Sequence, residues 1–228
     1  MQGLVITDCK NEMLLDPVNR MLGISDAERE IVNAAVERAW SRCLYCFDHI
    51  NNPRFHAGGV QLYHTVQYSM FLYFLENEIF ESFIKGKNGN MDAQNICDKL
   101  LMANMSIAGV DLFYEQRMPD IFLMAHTSGA VITPRAQFGN YFMFMQGCNV
   151  GYSKGYAPVL GEGVIMWGNS KIIGNCHVGN HVMFGANTYI KDMDIPDNSI
   201  VFGQYPNIII KENREDEVME NLRTRFIL

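Results

Sequence analysis

The stretch GEGVIMWGNSKIIGNCHVGNHVMFGANTYI, residues 161–190, carries an apolar residue at every sixth position: Met166, Ile172, Val178, Phe184 and Ile190, with Leu160 just ahead of it. A period of six is neither the 3.6 of a helical face nor the alternation of a half-buried strand. It suits one short strand plus one turn, the periodic residue pointing inward and glycine or asparagine taking the tight backbone. Four positions after each periodic residue stands a second set, Val164, Ser170, Cys176, Val182 and Thr188. Upstream the same pattern runs through Ile132, Phe138, Phe144 and Val150, with Ala136, Phe142 and Cys148 as the second set. The interruption GYSKGYAPV, beginning at Gly151, separates the two series. Three hexapeptides make a triangular coil, and stacked coils make a parallel β-helix. The array predicts about four coils, with 151–158 protruding as a loop.

Before the array the period is helical. SDAEREIVNAAVERAW opens at Ser25 with Glu28 three residues on, a capping box ahead of Ile31, Ala34, Ala35 and Val36. LYHTVQYSMFLYFLENEIFESFI, from Leu62, reads as a buried helix or helical hairpin. KGKNGNMD, 85–92, reads as a loop, and AQNICDKLLMANMSI resumes the helix. A solenoid needs covers on its open ends; the helical half supplies one, and EDEVMENLRTRF, from Glu215, supplies a short terminal helix. The predicted fold class is α+β: a helical N-terminal domain over 1–117, a β-helix over 118–210 and a C-terminal helix and tail over 211–228.

Composition narrows the function classes. The chain is 228 residues, 48% hydrophobic and 19% charged, with a formal charge of −7. That balance is globular and offers no basic surface for nucleic acid. No apolar run reaches the length of a membrane span. MQGLVITDCKNEM lacks the basic and apolar blocks of a signal peptide, and the six scattered cysteines fit reduced thiols. A cytoplasmic location is the expectation.

Several motifs together carry a resemblance to a family. GEGVIMWGNSKIIGNCHVGNHVMFGANTYI, NMSIAGVDLFYEQRMPDIFLMAHTSGAVI and YHTVQY, 63–68, are similar to segments of the serine acetyltransferases, a branch of the hexapeptide-repeat acyltransferases. The resemblance implies that the β-helix is left-handed, that the chain forms homotrimers, possibly paired as a dimer of trimers, and that acetyl-CoA is the co-substrate. It implies an O-acetyltransferase with His126 as general base, oriented by Asp111 fifteen residues earlier. A hydroxyl is a weak nucleophile until a base takes its proton, and a carboxylate fixes the imidazole tautomer. By the same resemblance Asp48 stands within one residue of the family's substrate-binding aspartate. Gly151, Gly168, Ala186 and Lys191 fall where a CoA groove is expected.

The departures concern the acceptor. The family has aspartate directly before the histidine where this chain has Ala125, and an Arg-His-Pro run where this chain has Tyr156, Ala157 and Pro158. Charges suited to a zwitterion are missing, so a sugar hydroxyl of a surface polysaccharide stands beside L-serine as acceptor, with Tyr156 a substrate-facing candidate. An amino-sugar N-acetyltransferase and a catalytically degenerate trimeric scaffold are the alternatives.

Each candidate also has a plainer role. His126 can be a packed core histidine, Asp111 a turn cap and Asp48 a helix-end residue. His177 and His181 with His126 resemble the zinc ligands of γ-type carbonic anhydrases. Four apart in consecutive hexapeptides, however, the two would point differently, and zinc needs converging ligands. Cys43 and Cys46 lack a second pair nearby. No metal is expected.

Overall fold

The computed structural model describes residues 4–87 and 89–228. The first residues of the segment read for an export signal, and one residue of the 85–92 loop, lie outside the described residues.

The N-terminal half packs four helices: α1 (Asp16–Leu22), α2 (Asp26–Asp48), α3 (Thr65–Ile79) and α4 (Met91–Ala108). The capping box forms in full, Ser25 Oγ accepting from Glu28 N at 3.2 Å and Ser25 N donating to Glu28 Oε2 at 2.7 Å. Lys99 of α4 pairs with the same Glu28 at 2.7 Å, tying α4 to the start of α2. The apolar run from Leu62 is a single helix, buried on almost every side and closed by one π turn at Phe80–Ile84. Apart from the 3-10 turns at Glu12–Leu14 and Pro53–His56, two elements have no counterpart in the sequence pattern. One is α1, which buries only Val18; the other is a two-residue antiparallel pair, Val5–Ile6 with Val60–Gln61. Both are too short to show a period. Among the described residues no helix is long and apolar enough to cross a membrane.

From Val110 the chain winds as a parallel β-helix of three faces. The first face stacks Val110–Leu112, Ala130–Ile132, Asn149–Gly151, Lys171–Ile173 and Tyr189–Lys191. The second stacks Phe122–Met124, Phe142–Phe144, Ile165–Met166, Met183–Phe184 and Ile200–Gln204. The third stacks Gln137–Phe138, Val159–Leu160 and His177–Val178, with Ile195 bridging Val178. Five strands on each of two faces give one turn more than the hexapeptide count predicts. The extra turn begins at Val110, and the loop 113–121 replaces its third-face strand, so no period marks it. Every periodic residue except the half-buried Phe138 is buried, and so is every member of the second set.

Buried polar groups lock the two halves together. Tyr73 of α3 donates its hydroxyl to Gln116 O at 2.6 Å, and Asn77 Nδ2 donates to Tyr114 O at 2.8 Å. At the other end a hairpin, Ile200–Gln204 with Asn207–Lys211, leads into α5 (Glu215–Arg223). Leu222 of α5 packs against Gly163 beside the second face, whose outward-facing Met143 and Ile165 are buried. The tail then returns to the end of α2, where Asn51 N donates to Arg225 O and Ile227 N donates to His49 O, both at 2.8 Å.

Close stacking dictates one column of glycines. A Cβ on Gly139 would stand 2.6 Å from Glu162 N and Gly161 C, and one on Gly161 would stand 2.9 Å from Gly179 C. These obstacles are backbone and cannot swing aside. Gly139→Ala is therefore expected to destabilise by about 1–3 kcal/mol, the range for overpacking. Gly168→Ala, which meets only the end of the Gln146 side chain, is the near-neutral control. Denaturant midpoints of the two variants check this; equal midpoints would contradict the stacking account.

Candidate active site

His126 sits where the second face turns into the first. At this corner seven steps separate Met124 from Val131, against five from Phe144 to Asn149, Met166 to Lys171 and Phe184 to Tyr189. The surplus forms a bulge. His126 takes a left-handed backbone at φ 53° and is exposed, so it is not a packed core residue. The neighbours in MAHTSGAVI hold the bulge to the end of α4. Thr127 is buried and donates Oγ1 to Ala108 O at 2.8 Å, and Gly129 N donates to Gly109 O at 2.8 Å. Gly129, at φ 75°, and the inward Ala130 then start the next strand. Sequence around His126 thus spends its small residues on aiming one imidazole outward.

Below the bulge, Gln146, Gly168 and Ala186 form a column, each two residues past its second-face strand. Among the described residues the backbone N–H groups of all three donate to nothing, and neither do those of His126, Thr127 and Ser128. The corner is therefore a ladder of free donors topped by an imidazole. Gly168 and Ala186, expected in a CoA groove, lie on it. Gly151 and Lys191 do not; they share a column at the far edge of the first face, on either side of Ile173. Gln146 was missed. Its signal is the offset it shares with Gly168 and Ala186.

Asp111 faces outward on the first face, between the buried Val110 and Leu112. It lines a groove of about 460 Å³ with Phe113, Val131, Thr133, Asn149 and Tyr152. No hydrogen bond joins it to His126 among the described residues. Tyr156 is exposed in a tight turn closed by reciprocal Ser153 and Tyr156 backbone bonds of 2.9 Å. This turn is the protruding segment expected at 151–158; beside it Arg135 lies over the Tyr152 ring at 4.5 Å. Asp48 ends α2 and is exposed. Cys46, two residues earlier, donates to Phe122 O at 3.2 Å. This contact sets the end of α2 against the start of the strand that precedes His126. Among the described residues no hydrogen bond joins Asp48 to His126.

The remaining candidates have structural partners. Burial raises the thiols of Cys43 and Cys46, the latter to about 12, which suits packed thiols and not thiolate ligands. His177 Nδ1 meets Asp194 Oδ1 at 3.1 Å, and His181 Nδ1 meets Asn198 Oδ1 at 3.3 Å. Among the described residues no group of three or more His, Cys, Asp or Glu could hold a metal ion.

The chain is similar to serine acetyltransferases in sequence and in fold. It is 28% identical over 109 residues to the serine acetyltransferase of Synechococcus elongatus, a match covering 45% of this chain and 44% of that one. The chain thus matches less than half the length of this curated relative. Its fold superposes on the crystal structure of serine acetyltransferase from Brucella abortus with a TM-score of 0.68 at 20% identity, covering 89% of this chain and 84% of that one. A serine acetyltransferase in complex with CoA gives a TM-score of 0.68 at 16% identity, covering 90% and 86%. No family model matches the chain.

Proposed function

We propose that the protein is an acetyl-CoA-dependent O-acetyltransferase, with His126 as general base. The observation that carries this is the exposed imidazole at the head of a ladder of unpaired backbone donors. Such donors suit the amides and carbonyls of a pantetheine arm, and those of the bulge suit a developing oxyanion. His126 takes the proton of the acceptor hydroxyl as its oxygen attacks the thioester carbonyl. The bulge N–H groups of Thr127 and Ser128 receive the negative charge on the carbonyl oxygen. The tetrahedral intermediate collapses, the C–S bond breaks, and the imidazolium returns its proton to the leaving thiolate. Asp111 orients the imidazole in the substrate complex, catalytic hydrogen bonds being often unformed without substrate. Gly168 and Ala186 line the arm, Gly151 belongs to the wall of the groove, and Lys191, in the coil of Ala186, is the candidate partner of the CoA phosphates. A homotrimer, in which a neighbouring chain completes the groove, and a cytoplasmic location belong to the same reading.

The relatives' name points to serine, but Ala125, Tyr156 and Ala157 remove groups that would meet a zwitterion. We therefore expect kcat/KM for free L-serine at least about tenfold below that for the best sugar hydroxyl, since unpaired substrate charges are rejected strongly. Thiol release from acetyl-CoA, measured with L-serine and with nucleotide- and lipid-linked sugars, checks this. Efficient turnover of serine with no sugar accepted would overturn the sugar preference and leave acetyl transfer standing.

A further inference from the structure

Gln146 lies on the corner ladder, one coil below the bulge that carries His126. Its amide folds over Gly168, where a Cβ would meet Nε2 at 2.5 Å and Oε1 at 3.6 Å. Oε1 is enclosed and has no hydrogen-bond partner among the described residues. Burying a carbonyl oxygen without a donor disfavours the folded state, and a turn of the half-buried Gln146 side chain would present the atom to a donor lying on the ladder. Beside the six free N–H donors of the ladder, Gln146 Oε1 is an acceptor without a partner among the described residues.

The acyl-carrying arm of CoA has a complementary group. Two carbons from its sulfur stands a secondary amide whose N–H is a donor. Neighbouring coils are about 4.8 Å apart. A thioester carbonyl beside His126 therefore places that N–H about one coil further along, level with Gln146. We propose that Gln146 Oε1 accepts this hydrogen bond and so fixes the depth at which the acetyl group stops beside His126. Gln146 is then a positioning residue, reading the arm and not the acceptor. The inference rests on the acetyl-CoA reading above.

Gln146→Leu removes the acceptor while keeping the volume. Calorimetric titration with CoA, which retains the amide, is expected to show Kd raised about tenfold, the equivalent of one hydrogen bond to a buried group. The melting temperature should not fall, because an unpaired acceptor has been removed; a purely structural glutamine would show the reverse. Gly168→Ala, which displaces the Gln146 amide without left-handed strain, should raise Kd in the same direction. In turnover, the acetyl thioester of N-acetylcysteamine keeps the amide and should lose as much kcat/KM as acetyl-CoA does. S-ethyl thioacetate lacks it and should show no difference between wild type and variant. A wild-type CoA affinity in Gln146→Leu, or an equal loss with S-ethyl thioacetate, overturns the role of Gln146 and leaves the acetyltransferase reading intact. Failure of the unaltered protein to bind CoA removes both.

Discussion

His126→Ala is expected to lower acetyl transfer per folded molecule by about 10²–10⁴-fold, the usual contribution of a positioned general base. The loss should fall on kcat. His126 is exposed and its side chain makes no hydrogen bond among the described residues, while the bulge is anchored by Thr127 and Gly129. Melting temperature and CoA affinity should therefore stay close to the unaltered protein. Asp111→Asn should also fold and should slow turnover, because an amide stabilises an imidazolium less well than a carboxylate does. Steady-state rates on protein checked by thermal melting separate these effects. A His126→Ala protein that melts far lower yet turns over normally would mark a packing histidine.

Phe144→Ala should have the largest effect on stability. Phe144 is fully buried in the inward column Met124–Phe144–Met166–Phe184, its ring 5.7 Å from that of Phe142. Truncating a core phenylalanine costs about 3–5 kcal/mol through lost burial and the cavity left behind. The site has little room to collapse, since strands hydrogen-bonded above and below fix its walls. In a chain of this size each kcal/mol shifts the melting temperature by roughly 2–4 °C, so a drop of about 6–20 °C is expected. Differential scanning calorimetry checks it. A shift under 2 °C would mean that the ring is not part of the stacked core.

What was legible in the sequence follows from how each feature is encoded. The hexapeptide columns were readable because inward positions recur at a fixed step, and Leu160 through Ile190 are all buried as that step requires. The first turn was not, because the loop 113–121 breaks the step and only Val110 and Leu112 mark the strand before it. The histidine was found by resemblance, but its setting was hidden. The two-residue surplus in the corner appears only when strand registers are known, and Thr127 and Gly129 look like ordinary small residues until the bulge gives each a task. Gln146 escaped for a related reason. Its meaning lies in being stacked under one residue and over another, a relation across coils that linear spacing states only once the coil length is fixed. Asp48 rests on the resemblance alone, and the bond from Cys46 to Phe122 sets the end of α2 against the strand that precedes His126.

The most direct test of the account is a crystal structure of the protein grown with CoA. The account predicts the pantetheine arm lying along the corner, its sulfur beside His126 and its amides within hydrogen-bond distance of the backbone N–H groups of Gln146, Gly168 and Ala186. A CoA bound on another face, or none bound at millimolar concentration, would contradict it.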